Sequence, residues 1–193
     1  MTDEELLANF VAGDRACLRD LVGRHHQAVL QVARYYAGQQ AEDVAQETWL
    51  AVCRGAKNFA GRSSFKTWLL TICANRARDM GYRESRHLSI DLSDPVAADR
   101  FSEGGAWLTA PVPFADRLAD EDERAAILAL VRRSLADLGE PTRTVVTLRD
   151  VEGLDTREVA EILHLSEGNV RVLLHRGRAA IRSTIEREQG GQS

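Results

Sequence analysis

Aromatic and cationic side chains are interleaved between residues 59 and 78, where Phe59, Phe65 and Trp68 stand beside Lys66, Arg76 and Arg78. Flat rings stack on unpaired bases while cations follow a phosphate backbone, so this mixture fits a surface that holds single-stranded nucleic acid. Each ring taken singly also fits an ordinary core, and Asn75, Arg76 and Arg78 also fit a solvated helix face. A second group lies near the C-terminus, where Ser166, Glu167, Asn169 and Arg171 precede His175, Arg176 and Arg178. In a DNA groove Arg pairs with guanine, Asn with adenine and Glu with the cytosine amino group, while further cations meet bases or phosphates. The competing reading of this group is a solvated basic face on a helical hairpin.

Metal chemistry has less support. His25 and His26 are adjacent in sequence. On a helix they point about 100° apart and cannot join Glu42, Asp43 and Glu47 around one ion as an i, i+4 pair would. Neither a metal site nor a cofactor is implied. Cys17, Cys53 and Cys73 are odd in number, widely spaced and set in helix-like apolar patterns. They are expected to be small buried hydrophobes rather than a disulfide framework or a CxxC site.

The elements that must carry these residues follow from apolar periodicity. Leu6, Leu7, Phe10 and Val11, then Leu18 through Ala33, predict a short helix followed by a long one, with Asp14 as N-cap and Gly38 as C-cap. A helix from about Ala41 to Gly55 has Val44, Ala45, Thr48, Trp49, Ala51 and Val52 as its apolar stripe and an acidic outer face. Residues 58–62 form a loop, and Ser63 or Ser64 caps a helix continuing to about Tyr82. Periodicity lapses from Ser89 to Asp116, where Pro95, Gly104, Gly105, Pro111 and Pro113 collect. It resumes from Ala125 to Leu138, and Pro141 starts a short helix reaching Leu148. Thr156–Leu163 and a last helix opened by Ser166 and running to about Arg187 form a helix-turn-helix pattern. In it Val159, Ala160 and Ile162 pack the first helix, Leu165 fills the turn, and Val170 and Leu174 anchor the second. No strand or internal repeat is expected. The fold class is all-α: two small helical domains joined by a flexible acidic linker, the C-terminal one a helix-turn-helix.

Of the 193 residues 44% are hydrophobic and 28% charged, as in ordinary globular protein. The acidic N-terminus and the lack of a long apolar run predict a cytoplasmic protein that does not itself enter the membrane. A net charge of −4 conceals strong segregation. Residues 54–86 are predominantly basic, residues 91–123 predominantly acidic, and a second basic stripe runs from Arg171 to Arg187. Two basic elements separated by an acidic connector suggest two tethered DNA contacts. Phe101, Trp107, Leu108, Val112 and Phe114 interrupt the connector; they suit docking on a partner or packing on the protein's own domains.

The motifs together resemble the extracytoplasmic-function (ECF) sigma factors of the sigma-70 family. Asp43-Val44-Ala45-Gln46-Glu47-Thr48-Trp49-Leu50 is similar to the family's polymerase-binding helix. Ser63 through Leu69, followed by Ala74-Asn75-Arg76-Ala77-Arg78-Asp79, is similar to its promoter-melting and minus-ten segment. Gly153-Leu154 through Leu163 and Val170 through Arg178 resemble its minus-thirty-five helix-turn-helix. The three motifs occur in the family's order with no extra domain between them. His164 stands where the turn usually has Gly, and Val172 and Leu173 replace the usual Ser and Arg.

The resemblance implies a region 2 domain over residues 1–88, a linker over 89–120, a region 4 domain over 121–187 and a tail over 188–193. It places Asp43, Gln46, Glu47 and Leu50 against core RNA polymerase. Asn58, Phe59, Gly61, Arg62, Ser63 and Ser64 would belong to the loop that captures a flipped minus-ten base, with Lys66, Trp68, Asn75, Arg76 and Arg78 lining the DNA. Ser166, Glu167, Asn169, Arg171, His175, Arg176 and Arg178 would face the minus-thirty-five element. The implied partners are core polymerase, promoter DNA and an anti-sigma factor, with no small-molecule substrate and no catalysis by the chain itself. An anti-sigma interface would suit the residues around Trp107. Two alternatives are a stand-alone helix-turn-helix regulator, which leaves the 43–50 and 63–79 motifs unexplained, and a metal-dependent helical enzyme.

Overall fold

The structure, a computed structural model, describes residues 1–81 and 121–190. The expected linker, including Trp107, lies outside the described residues, as does the end of the tail. Every element among the described residues is helical. Contacts gather them into two groups: residues 1–81 with 147–167, and residues 121–146 with 168–190.

The first group begins with α1 (Asp3–Val11). Thr2 Oγ1 accepts from the Glu5 amide at 3.2 Å while the Glu5 carboxylate accepts from the Thr2 amide at 2.8 Å, a reciprocal cap. Leu6 and Leu7 bury the inner face of the helix. The 23-residue α2 (Arg15–Ala37) starts at Asp14, whose carboxylate accepts from the Ala16 amide at 2.9 Å. It stops at Gly38, where φ is +57° and the amide returns to the Arg34 carbonyl. Both ends match expectation.

After one turn of 3₁₀ helix, α3 (Ala41–Gly55) buries Ala41, Val44, Ala45, Thr48 and Val52 against its neighbours. Trp49 and Ala51, expected in that stripe, are only half-buried. Trp49 directs its indole N–H to His26 Nδ1 at 3.3 Å. Cys53 departs from expectation: it is exposed, because its position lies a further 100° round the helix from Val52. Cys17 and Cys73 are buried as predicted.

Ser64, not Ser63, caps α4 (Phe65–Asp79), accepting from the Thr67 amide at 3.1 Å. The helix ends before the predicted Tyr82. The Met80 amide bonds the Arg76 carbonyl, the Gly81 amide bonds the Arg78 carbonyl, and Gly81 takes φ +81°. The core of this bundle, with Leu21, Val29, Val32, Val44, Phe65, Leu69 and Leu70, excludes solvent almost completely.

Residues 147–151 form a π-helical turn, closed by a bond from the Glu152 amide to the Thr147 carbonyl. Next, α7 (Thr156–Leu163) carries a second capping box, Asp155 with Glu158, and buries Val159, Ala160, Ile162 and Leu163. It ends where His164 adopts φ 53°, ψ 41°, a left-handed geometry at the position where the resembled turn usually has Gly. The amides of His164 and Leu165 both bond the Ala160 carbonyl. Helix α7 is bonded to both α4 and α2: Thr67 Oγ1 of α4 donates to Glu158 at 2.7 Å, and Tyr36 of α2 donates to the Ile162 carbonyl at 2.6 Å.

In the second group, α5 (Glu121–Asp137) is followed by α6 (Glu140–Val146). The Arg143 guanidinium caps the end of α5, donating to the carbonyls of Leu135, Ala136 and Leu138 at 2.8–3.0 Å. A cation is doubly suited there, since it meets unpaired carbonyls at the negative end of the helix. Helix α6 ends at Val146 rather than Leu148, its continuation being the π turn. Helix α8 (Glu167–Gly190) starts one residue after Ser166 and extends beyond the predicted Arg187. Its buried face repeats at i, i+3, i+4 and i+7 through Val170, Leu173, Leu174 and Gly177.

Candidate nucleic-acid and polymerase interfaces

On α3 the four candidate residues Asp43, Gln46, Glu47 and Leu50 stand at i, i+3, i+4 and i+7, which sets them in one stripe. Asp43 and Gln46 are exposed, Glu47 is half-buried, and Leu50 leaves 46% of its surface open to solvent. Leu50 is thus a large apolar side chain left open to solvent in line with Asp43 and Glu47.

The loop between α3 and α4 is held at its two ends by aromatic rings. Phe59 lies 5.1 Å from Trp68 between ring centroids and 6.4 Å from Phe65. The three rings divide the expected roles between them: Phe65 is core, fully buried and 5.6 Å from the His25 ring, whereas Phe59 and Trp68 remain half-buried at the surface. Gly61 takes φ +65°, a conformation costly for other residues, and Asn58, Arg62, Ser63 and Ser64 are exposed around it. Ser64 also hydrogen-bonds the Thr67 hydroxyl at 2.8 Å.

The cations of α4 differ in environment. Lys66 is engaged by Glu152, bonding a carboxylate oxygen and the backbone carbonyl of that residue, each at 2.9 Å. Arg76 pairs loosely with Asp79 at 3.7 Å. Arg78 bonds the Asn75 side-chain oxygen, and its guanidinium lies 3.5 Å from His164 Nδ1. The sequence offered no sign of Glu152 as a partner for Lys66, since the two are 86 positions apart.

On α8, Arg171, His175 and Arg178 follow i, i+4, i+7 spacing, offset by one position from the buried stripe. Arg171 is exposed, and Asn169, His175, Arg176 and Arg178 are half-buried. Burial, helped by the charge of Arg176, holds the His175 imidazole below its usual pKa of 6.5. His175 therefore favours the neutral form at neutral pH, with one ring nitrogen as acceptor. Ser166 and Glu167 are exposed at the helix start.

Among the described residues no group of three potential metal ligands assembles. The two histidines instead serve separate elements, His25 bonding Asp3 at 2.6 Å and His26 meeting Trp49. Nor is any helix of the described residues long and apolar enough to cross a membrane.

Comparison with known proteins gives a consistent result. The family description sigma-70 region 2 matches residues 21–87, and sigma-70, region 4 matches residues 128–181. The chain is 30% identical to the ECF RNA polymerase sigma-E factors of Salmonella typhimurium (strain LT2) and Escherichia coli (strain K12) over 187 residues. That alignment spans 96% of this chain and 95% of each relative. The sigma-E factor of Haemophilus influenzae is 29% identical over the same length, covering 96% of both. Among solved structures, that of CnrH in complex with the cytosolic domain of CnrY aligns at 25% identity and a TM-score of 0.48. It covers 95% of this chain and 97% of that one.

Proposed function

The chain belongs to the ECF sigma factors of the sigma-70 family, and from that membership we propose how its residues divide the work of initiation. As a sigma factor it is a specificity subunit without catalysis of its own: it binds core RNA polymerase, directs it to promoters and helps open the minus-ten element. The region 2 domain corresponds to residues 1–88 and the region 4 domain to 121–187, with 89–120 as linker and 188–193 as tail. The protein works in the cytoplasm, where polymerase is.

Core polymerase docks on the α3 stripe, with Leu50 as apolar anchor and Asp43, Gln46 and Glu47 as polar surround. The observation that supports this most is the exposure of Leu50 within an i, i+3, i+4, i+7 set. Residues 58–64 hold a flipped minus-ten base, while Lys66, Trp68, Asn75, Arg76 and Arg78 follow the displaced strand by stacking and charge. The α8 residues Asn169, Arg171, His175, Arg176 and Arg178 face the minus-thirty-five element, together with Ser166 and Glu167 at the helix start. An anti-sigma factor masks these surfaces until a signal releases it; CnrH was solved with the cytosolic domain of CnrY, and the RpoE of Bartonella quintana with the anti-sigma factor NepR.

Run-off transcription with core polymerase tests the α3 assignment. The wild-type chain is expected to give promoter-specific transcript, and a variant carrying Asp43→Ala and Glu47→Arg to lose it while its fold and DNA affinity persist. Undiminished transcript from the variant would remove α3 as the docking face. Tight promoter binding without polymerase, and no transcript from any promoter of a genomic library, would favour a stand-alone regulator instead.

A further inference from the structure

Glu4 belongs to none of the three motifs, yet its carboxylate reaches the junction between the base-capturing loop and α4. Glu4 Oε1 accepts a hydrogen bond from the Phe65 backbone amide at 3.0 Å, across 61 positions of sequence. Phe65 is the first residue of α4, so its amide is one of those that the helix itself leaves unpaired. An anion at this end also complements the helix dipole.

Glu4 sits on a fixed platform. Its neighbour Asp3 bonds Arg24 at 2.9 Å and His25 at 2.6 Å, and Leu6 and Leu7 are buried. The helix that it caps does not depend on it: Ser64 already satisfies the Thr67 amide, and Phe65, Leu69 and Leu70 are fully buried. What Glu4 adds is a restraint where the loop ends. At the loop's other end, Phe59 is fixed by its ring contact with Trp68 and by its amide bond to the Ala56 carbonyl at 3.2 Å. Between these anchors stand Gly61, Arg62 and Ser63.

We propose that Glu4 is a positioning residue for minus-ten capture, fixing the exit of the loop and so its spacing to the α4 side chains that meet the displaced strand. This rests on the assignment of residues 58–64 to base capture. A side chain on the first helix thereby acts on promoter opening without touching DNA.

The test uses holoenzyme assembled from the full chain and core polymerase. The probe is a labelled single-stranded oligonucleotide carrying the minus-ten sequence that wild-type holoenzyme selects from a randomised pool, with 2-aminopurine at the captured base. Glu4→Ala is expected to weaken probe binding about fivefold, the size of the cost of ordering the loop on binding rather than before it, and to reduce the 2-aminopurine signal. Glu4→Gln, which keeps an acceptor oxygen, restores most of both, and neither variant alters affinity for core polymerase or the melting temperature. A control carrying Arg62→Ala and Ser63→Ala reports on the loop itself. If the control weakens binding and Glu4→Ala does not, the proposal is overturned while the loop assignment stands. Should neither weaken it, the loop assignment fails and the proposal with it. Equal losses in Glu4→Ala and Glu4→Gln, with parallel falls in melting temperature, would reduce Glu4 to a structural residue and also overturn the proposal.

Discussion

The ammonium of Lys66 lies 2.9 Å from a carboxylate oxygen of Glu152 and equally close to the backbone carbonyl of the same residue. A cation proposed to follow the displaced promoter strand is thus already neutralised within the isolated chain. Beside it Thr67 donates to Glu158, so two acidic residues reach the first turn of α4.

Substituting Glu152→Gln removes the opposing charge and leaves Lys66 available to phosphate. The free protein is expected to bind single-stranded DNA roughly two- to fivefold more tightly, with a salt dependence steeper by about 0.7 in log–log slope, the share of one added phosphate contact. Fluorescence anisotropy over a salt titration measures both. An unchanged slope would mean that Lys66 does not contact phosphate when released.

Asp3 couples stability to acid pH. Burial alone would raise its carboxyl, but the Arg24 hydrogen bond and the charge and hydrogen bond of His25, with the charge of Arg24, together outweigh it and set the pKa below the ordinary 3.8. Because the folded value lies below the unfolded one, this stability is present in full above the unfolded pKa and disappears as pH falls through the folded value. Asp3→Asn should cost about 1–2 kcal/mol near neutral pH, with the deficit shrinking as pH falls below the ordinary carboxyl value of 3.8. Urea midpoints at the two pH values give the comparison, and a deficit independent of pH would sink the assignment.

Gly177 sets helix propensity against packing. Alanine is favoured over glycine in a helix interior by about 0.5–1 kcal/mol. Here a Cβ would collide with Val146 Cγ2 and lie 3.0 Å from Thr142 Cγ2 and 3.6 Å from Leu138 Cδ1. Overpacking a tight contact costs about 1–3 kcal/mol, so packing should win and Gly177→Ala should lower the melting temperature. A rise would show that α6 yields to the methyl group.

The cysteines should separate by reactivity. Burial pushes the Cys73 thiol up to about 12, and Cys17 is likewise raised, by burial and then by Asp14 and Asp20 nearby, whereas Cys53 is exposed. Ellman's reagent is expected to modify one thiol in the native protein and all three after unfolding, the fast phase vanishing in Cys53→Ser. Three equivalent native rates would contradict this burial pattern.

Much of the helical framework was legible from residues close together in sequence. Asp14 and Gly38 delimit α2 as expected, and α3 and α7 occupy their predicted spans. Gly81 stops α4 short of Tyr82 because a glycine at positive φ closes the last turn, a cue present in the sequence but outweighed by the apolar period. The His164 turn was legible because few residues other than Gly tolerate left-handed backbone and His is among them. Cys53 was misplaced because a small apolar residue beside a stripe gives no phase of its own.

The positions of the helices, the caps of α2 and the order of the three motifs that place the chain among the ECF sigma factors were legible in the order of its amino acids. Such features depend on groups within a few residues of one another: apolar period, side-chain caps and backbone handedness. The packing of the helices, by contrast, makes Phe65 core and leaves Phe59 and Trp68 half-buried at the surface. It also paired Lys66 with Glu152, Phe65 with Glu4 and Thr67 with Glu158, across 86, 61 and 91 positions respectively. A carboxylate carries no mark in sequence of which distant amide or ammonium it will meet, because that choice is made by how the buried faces of the helices pack.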